Sequence, residues 1–269
     1  MNTLAQTHLQ LMNDLWMAIE RNELRLLYQP KFHAPAGPLL GFEALLRWQH
    51  PKQGLLTPDL FLPLAEKTGL IIPIGNWVIN EACRQLREWH LQGHQDWSMA
   101  VNLSTLQFEQ PSLVKTVLDC LECHQVPPEM LILEVTETTA MSNPDESVRV
   151  LTELTNAGVK ASIDDFGTGY SSLLYLKRLP ACELKIDRAF VKELSGESED
   201  ATIVSAIVAL AKTLNLKVVA EGVETEAQQT FLTELGCNTL QGYLLGKPAS
   251  AQTIEALCAR GEMLPGAEL

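Results

Sequence analysis

The sequence has few aromatic residues and little positive charge. Phe, Trp and Tyr make up 6% of the 269 residues, and 20 Lys and Arg stand against 33 Asp and Glu, a net charge of −13 at pH 7. A chain this acidic lacks the cations that neutralise the phosphates of duplex nucleic acid or an anionic membrane surface. We therefore exclude both as main partners. A small anionic ligand is compatible with this charge only where cations are concentrated locally.

Long apolar runs are also missing. No stretch reaches the roughly 18 apolar residues that a membrane-spanning helix needs, and no Lys or Arg precedes Arg21, as a secretory signal would require. We expect a cytoplasmic location, with any tether to the inner membrane lying in an upstream region outside this chain.

Cysteine is sparse. Six cysteines in a chain of this length do not suggest a disulfide framework, so we expect free thiols. Cys120, Cys123 and His124 match the C-x-x-C-H pattern of haem attachment, but they end an amphipathic helix predicted to begin near Pro111, and the chain shows no export signal. Haem is therefore disfavoured. Zinc is disfavoured too, because no second cysteine pair lies at finger-like spacing.

Strand and helix patterns alternate from Glu23 onward. Eight segments are predicted strands: residues 24–29, 40–45, 99–104, 131–136, 160–164, 183–186, 217–221 and 239–243. Helices are predicted at residues 58–67, 73–92, 111–124, 145–156, 201–214, 226–235 and near 251–260. This alternation predicts an α/β fold, either a (β/α)8 barrel or a doubly wound sheet.

The first two predicted strands are joined by residues 34–38, which are too few for a helical crossover. We therefore expect these strands to be antiparallel, and the fold to be a modified TIM-type (β/α)8 barrel with one antiparallel strand near its start. No linker divides it.

The N-terminal 22 residues have a helical pattern of their own. Leu4, His8, Leu11, Leu15 and Ala18 follow alternating steps of four and three, over about two heptads. This helix either packs on the barrel or ends a linker from an upstream sensory or signalling domain, and the pattern does not decide between the two. We assign residues 23–260 to the barrel and 261–269 to a C-terminal tail.

Polar residues recur at the carboxyl ends of the predicted strands. Seven strands each contribute one: Glu43, Asn102, Glu134, Asp164, Lys185, Glu221 and Gln241. A parallel barrel gathers these ends on the face where its active sites lie. Two like charges near 4 Å cost on the order of 4 kcal/mol at an effective dielectric of about 20. Several carboxylates at one mouth therefore require bound cations or raised pKa values, and oxygen ligands favour Mg²⁺ or Mn²⁺ over zinc.

Two adjacent acids, Asp164 and Asp165, end one strand just before Gly167 and Gly169. Neighbouring strand side chains point to opposite faces, so these carboxylates converge only if the strand stops between them and the chain turns. The pattern indicates a cation site at the barrel mouth. An Asx-type turn followed by a helix N-cap is the alternative.

Two further acids lie close to these strand ends. Glu137 is an odd step of three from Glu134 and cannot share its face, so we expect it to support the 165–172 loop through hydroxyls and amides. A solvated loop acid is the alternative. Asp187 shares a face with Lys185, but Arg188 follows it and offers an ion pair. We leave Asp187 outside the predicted site.

Several motifs occur together in the order typical of one family. Glu43-Ala44-Leu45-Leu46-Arg47-Trp48 resembles the motif that names the EAL domain, the phosphodiesterase family that opens the bacterial second messenger cyclic di-GMP. The resemblance runs from about Leu24 to Pro248. It also takes in residues 28–30, 61–66, 101–104, 133–137, 164–169, 184–187, 221–225 and 241–243.

The resemblance implies a modified barrel with two Mg²⁺ or Mn²⁺ ions, which hydrolyses one phosphodiester bond of cyclic di-GMP to give linear pGpG. The implied ligands of the first ion are Glu43, Asn102, Glu134 and Asp164. Asp164 is implied to bridge to the second ion, which Asp165 and Glu221 also ligate. The implied catalytic group is Lys185 with Glu43 and Glu221, where Lys185 orients water or stabilises phosphoryl charge.

The resemblance also assigns residues and partners around the metals. Gln241 is implied to support the water shell of the second ion, Arg47 to contact a substrate phosphate, and Gln29 to lie beside the substrate. A homodimer formed beside the loop that Glu137 braces is implied as well, and an upstream sensory or GGDEF synthase domain is compatible with the pattern. The alternatives are a receptor that binds cyclic di-GMP without turnover and an unrelated barrel enzyme acting on another phosphate ester.

Overall fold

A computed structural model of the chain describes residues 11–35, 37–167, 173–194 and 198–260. These residues contain nine strands: β1 (Leu24–His33), β2 (Leu39–His50), β3 (Gly54–Leu56), β4 (Ser98–Leu103), β5 (Leu131–Thr136), β6 (Lys160–Phe166), β7 (Glu183–Ile186), β8 (Lys217–Ala220) and β9 (Thr239–Leu240). All eight predicted strands are present. The additional strand, β3, has only three residues and is too short to show an alternating pattern.

Eight of the strands close into a barrel. Strands β2, β4, β5, β6, β7, β8 and β9 are parallel neighbours in that order, and β1 lies between β9 and β2, antiparallel to both. The long β1–β2 pairing runs from Leu24 opposite Trp48 to Phe32 opposite Leu39, and β3 pairs with β2 outside the barrel. The predicted α/β barrel with one antiparallel strand near its start is confirmed.

Helices surround the barrel. They are α1 (Pro58–Thr68), α2 (Ile71–Leu91), α3 (Thr105–Phe108), α4 (Leu113–His124), α5 (Glu137–Ser142), α6 (Pro144–Asn156), α7 (Leu173–Leu176), α8 (Arg188–Lys192), α9 (Glu199–Thr213), α10 (Glu226–Leu235) and α11 (Ala251–Ala259). All seven predicted helices are found with bounds within two residues. Leu173, Leu174 and Leu176 in the sequence also indicate the short helix α7, and it is present. The other three shortest, α3, α5 and α8, are not predicted, because one or two turns contain too few residues to show helical periodicity.

The N-terminal segment is helical over residues 11–18. Leu11, Leu15 and Ala18 are buried in the core, whereas Trp16 is exposed. Leu4 and His8 of the predicted helix, and the predicted tail 261–269, lie outside the described residues. The alternative assignment of this segment as the end of a linker stays a prediction.

The few aromatic residues are concentrated beside the antiparallel strand pair. The Trp89 ring of α2 lies with its centroid 4.7 Å from Phe42 and 5.0 Å from Tyr28, and Trp97 packs 5.6 Å from Trp89. Such pairs add about 0.5–1.5 kcal/mol each to the burial of the rings. This packing holds β1 against β2, which sets Gln29 directly opposite Glu43.

The structure describes all six cysteines and the outer helix that carries two of them. All six cysteines are free thiols, and Cys120 and Cys123 lie on the outer helix α4. Within the described residues, no helix is both long and apolar enough to cross a bilayer.

Candidate active site

Four carboxylates from four different strands or their ends surround the side chain of Lys185 on β7. Its Nζ lies 2.5 Å from Glu221 Oε1, 2.6 Å from Glu134 Oε2, 3.0 Å from Asp164 Oδ2 and 3.7 Å from Glu43 Oε2. Lys185 is fully buried, and Glu221 directly follows β8. The barrel therefore brings these five predicted site residues together at one mouth. Glu43 was predicted near the end of its strand, but β2 continues seven residues beyond it to His50.

Amide side chains fix the position of Glu43. Asn102 Nδ2 donates to Glu43 Oε1 at 2.6 Å, and Gln241 Nε2 donates to Glu43 Oε2 at 2.6 Å. Gln241 also donates to Oε1 of Gln29 at 3.1 Å. Both oxygens of the Glu43 carboxylate are thus held in place, and Asn102, Gln241 and Gln29 join the same cluster.

Asp164 and Asp165 converge by a bulge. We expected the strand to stop between them, but β6 continues to Phe166, and the β6–β7 register shifts between Ile163 and Phe166. Asp165 has φ of 53°, in the left-handed region that non-glycine residues seldom adopt. Its N–H donates to Asp164 Oδ1 at 2.8 Å. Strained backbone of this kind is typical of functional sites.

Glu137 contacts the root of the loop that follows β6. It is buried at the start of α5, and its Oε2 accepts a hydrogen bond from the Gly167 N–H at 2.8 Å. The hydroxyl groups of residues 168–172, which we also expected it to contact, lie outside the described residues. The contact that the structure describes is therefore to the amide of Gly167.

Two adjoining cavities open at this face. One of about 590 Å³ is lined by Gln29, Glu43, Arg47, Asp165, Asp187, Glu221, Gln241 and Tyr243, among others. The second, about 680 Å³, is lined by Asn102, Asp164 and apolar side chains of α1 and α2, and it shares Glu43 and Asp165 with the first. Five of the six predicted metal ligands border open space large enough for a dinucleotide, whereas the sixth, Glu134, is buried and, like Lys185, lines neither cavity.

Asp187 lies closer to the site than its sequence context indicates. Its carboxylate accepts from the Ala189 N–H at 2.6 Å as the N-cap of α8, and it shares a hydrogen bond with the Asp165 side chain. No ion pair joins it to Arg188, although both residues are described. The sequence held a signal for this position: Asp187 lies two residues after Lys185, and alternate residues of a strand share a face.

The carboxylates outnumber the cations that face them. Burial, with the neighbouring Asp164 charge, raises the pKa of Asp165 to about 7. Burial also raises the pKa of Glu221 to about 8, against the opposing effect of Lys185, and raises the pKa of Glu134. Burial therefore disfavours the charged form of these three carboxylates more than the nearby lysines favour it, whereas Lys185 and the amide donors outweigh burial at Glu43 and lower its pKa.

The donor set fits a divalent cation. The predicted metal ligands all offer oxygen atoms, which Mg²⁺ and Mn²⁺ prefer, and the lysines do not fully neutralise the negative charge of the carboxylates. In the part of the chain that the structure describes, no three acidic, His or Cys side chains are arranged around a common metal position. The carboxylates instead point at the Lys185 ammonium, which supplies the central positive charge.

The raised pKa values predict how metal binding depends on pH. Asp165 and Glu221 keep protons in the folded protein that the unfolded chain loses near pH 4, so the folded state binds more protons between about pH 4 and pH 8. The metal-free protein therefore loses stability as the pH rises through this window. Metal competes with those protons, so we expect the rise in Tm caused by Mg²⁺ to be larger at pH 8.5 than at pH 6. An equal rise at both pH values would contradict these pKa shifts.

A family model for the EAL domain matches residues 12–248. The chain belongs to the EAL domain family. It is 63% identical over 259 residues to MucR of Pseudomonas aeruginosa, a bifunctional diguanylate cyclase/cyclic di-GMP phosphodiesterase, and the match covers 96% of this chain and 38% of MucR. It is 45% identical over 251 residues to the cyclic di-GMP phosphodiesterase NbdA of the same organism, covering 93% of this chain and 32% of NbdA.

Solved structures of EAL domains share this fold. The structure of the MucR phosphodiesterase in complex with c-di-GMP has a TM-score of 0.89 and 64% identity, and covers 91% of this chain and 99% of the solved chain. The FimX EAL domain of Pseudomonas aeruginosa bound to c-di-GMP has a TM-score of 0.81 and 28% identity, and covers 89% and 96%. The chain spans about a third of the length of MucR and NbdA.

Proposed function

We propose that this chain hydrolyses one phosphodiester bond of cyclic di-GMP and releases linear pGpG. The observation that carries the proposal is the convergence of four carboxylates from separate strands on the buried Lys185, three of which also line the two cavities of the site. Membership of the EAL family supports it, as do the phosphodiesterases MucR and NbdA among the relatives.

Two divalent cations, Mg²⁺ or Mn²⁺, are part of the proposal. Glu43, Asn102, Glu134 and Asp164 would hold the first, and Asp164, Asp165 and Glu221 the second. When bound, such a pair lowers the pKa of a water molecule and neutralises charge on the phosphoryl oxygens of an in-line displacement. The uncompensated carboxylates and their oxygen-only chemistry support this assignment.

The chain's own residues position the substrate and the nucleophile. Arg47, which lines the same cavity as Glu221, contacts a phosphate, and Gln29 lies beside the substrate. Lys185, which is buried beneath the cavities, would orient the attacking water or stabilise the charge that develops on the phosphoryl oxygens. The attacking water gives up one proton as its oxygen bonds to phosphorus, the bond to the leaving ribose oxygen breaks, and that oxygen takes up one proton, so the protons balance. Gln241 keeps Glu43 in place through its hydrogen bond.

The alternative is a receptor that binds cyclic di-GMP without turnover. Binding alone does not need Lys185 buried among four carboxylates, so the complete set of predicted ligands counts against it. A second alternative is hydrolysis of a different phosphate ester. Incubation with cyclic di-GMP, linear dinucleotides and simple phosphomonoesters separates the three. We expect only cyclic di-GMP to be turned over rapidly, and the product to persist as pGpG; rapid conversion to GMP would contradict the specificity.

The contact from Glu137 predicts a defect that metal relieves. Without the Glu137 carboxylate, the Gly167 N–H loses its partner and Asp165 is held less firmly two residues earlier. We expect Glu137→Ala to lower activity at limiting Mg²⁺ and to regain part of it at high Mg²⁺, in activity assays across a Mg²⁺ titration. If Glu137 does not support the loop, the variant should have wild-type activity at limiting Mg²⁺. If Glu137 is itself a metal ligand, no Mg²⁺ concentration should restore activity.

Assembly and context are proposed on the same basis. Leu173 and Leu174, just after the loop, are 58% and 68% exposed, which supports a homodimer formed beside the loop; sedimentation across a concentration series would test it. We also propose that the domain works in the cytoplasm, in a longer protein that carries a sensory or synthase domain.

A further inference from the structure

A second buried lysine lies beneath the predicted metal ligands. Lys31 on β1 is only 3% exposed, and its Nζ lies 3.2 Å from Glu183 Oε1 and 3.5 Å from Glu134 Oε1. The other oxygen of Glu134, Oε2, lies 2.6 Å from Lys185 Nζ. The Glu134 carboxylate is therefore held between two ammonium groups, one at each oxygen.

Strand geometry places this pair on the side of Glu134 away from the mouth. Lys31 follows Gln29 by two residues on β1, and Glu183 precedes Lys185 by two on β7. Alternate residues of a strand share a face, so all four side chains point into the barrel. Because β1 runs antiparallel to its neighbours, moving forward along it from Gln29 to Lys31 leads deeper into the barrel. On the parallel strand β7, moving back from Lys185 to Glu183 does the same, so both residues lie deeper than the cavity.

Neither stability nor substrate contact explains the pair. Taking two charges out of water costs free energy that their attraction does not fully return, and replacing such a pair by apolar side chains is often neutral or stabilising. Neither Lys31 nor Glu183 lines either of the two cavities at the site. The remaining contact of Lys31 is the one to Glu134.

We infer that Lys31, held by Glu183, is a positioning residue that orients the Glu134 carboxylate toward the divalent cation. The inference rests on the proposed function, in which Glu134 is a metal ligand. Residues that hold a metal ligand from behind fix its orientation, and their loss typically lowers metal affinity by about 10- to 100-fold. Lys31 occupies such a place on the oxygen that faces away from Lys185.

The test compares two variants in the metal-free protein. Lys31→Met/Glu183→Gln removes one charge of each sign, so the net charge near the site is unchanged, but the contact to Glu134 Oε1 is lost. Glu183→Gln alone is the matched control, because it keeps Lys31 on Glu134 and makes the site more positive. Mn²⁺ binding is measured by titration calorimetry, and Tm by circular dichroism.

We expect the double variant to bind Mn²⁺ about 10-fold more weakly than the wild type, and the control to lose less. An effect of charge alone would give the opposite order, since only the control adds net positive charge. A double variant with an altered Tm and wild-type Mn²⁺ affinity would overturn the inference and leave Lys31 as a core residue. If the double variant does not fold, Lys31→Arg decides: retained affinity supports the inference, and loss of affinity in a folded protein overturns it.

Turnover of cyclic di-GMP by the wild type, measured in parallel, keeps the two proposals apart. If the wild type turns over cyclic di-GMP normally but the double variant keeps wild-type Mn²⁺ affinity, only the role of Lys31 is overturned and the proposed function stands. A wild type that binds Mn²⁺ but does not open the dinucleotide overturns the proposed function, while weaker binding by the double variant still supports the role of Lys31.

Discussion

Lys185→Ala is expected to lower kcat by about 10²- to 10³-fold while KM changes little. The ammonium group acts on charge that develops on the phosphoryl oxygens as the water attacks, so its loss affects the transition state more than the bound substrate. Steady-state kinetics at saturating Mg²⁺ measure both parameters. Lys192→Ala, which removes an exposed lysine of α8, is the control and should behave like the wild type.

The same substitution should destabilise the metal-free protein. Lys185 is the central counter-charge for Glu43, Glu134, Asp164 and Glu221, and removing one partner of a buried charge cluster costs about 3–5 kcal/mol. We expect a lower Tm without metal and a larger rise in Tm with Mg²⁺ than in the wild type. A variant with unchanged kcat and a raised KM would instead make Lys185 a binding residue.

Glu43→Gln is expected to lower turnover on the order of 10³-fold, a barrier increase of about 4 kcal/mol. The change keeps the side-chain volume but removes the charge. The oxygens of Glu43 now accept hydrogen bonds from Asn102 Nδ2 and Gln241 Nε2. In the variant, an NH₂ group replaces one of these oxygens and faces one of these donors. The cluster should lose both a metal ligand and its fixed geometry.

The measurement for Glu43→Gln is turnover across a Mg²⁺ titration, with calorimetric metal binding beside it. Unlike Glu137→Ala, this variant should not recover at high Mg²⁺, since a ligand itself has changed. Glu109→Gln neutralises an exposed acid and is the matched control. Recovery of the Glu43 variant to wild-type turnover with excess Mg²⁺ would make Glu43 a support for the site and remove it from the ligands.

Long periodic segments made most of the fold predictable. The seven longer helices and most of the eight barrel strands have enough residues to show a period near 3.6 or of two, although β9 has only two residues. The short connection between the first two strands required them to be antiparallel. Helices of one or two turns, such as α3 and α8, have no such pattern. Their existence depends on caps and tertiary contacts, for example Asp187 on the Ala189 N–H.

The site was predictable for residues that end strands, because a parallel barrel gathers those ends. Glu43 also reaches the site, although β2 continues past it to His50. Contacts that depend on the register between strands could not be predicted. The pairing of Lys31 with Glu183 spans 152 positions of the chain and depends on how β1 closes the barrel opposite β7. The bulge that brings Asp164 and Asp165 together also escaped sequence analysis, because a non-glycine residue at φ of 53° is held there by its surroundings.

The most direct test of the central claim is chromatography of the products formed from cyclic di-GMP by the purified wild-type chain, with Mg²⁺, with excess EDTA, and with Mg²⁺ restored after chelation. We predict pGpG in the first sample, unchanged cyclic di-GMP in the second and pGpG again in the third. Full activity after exhaustive chelation would contradict the assignment of the carboxylates as metal ligands, and unchanged cyclic di-GMP in all three samples would contradict the proposed hydrolysis.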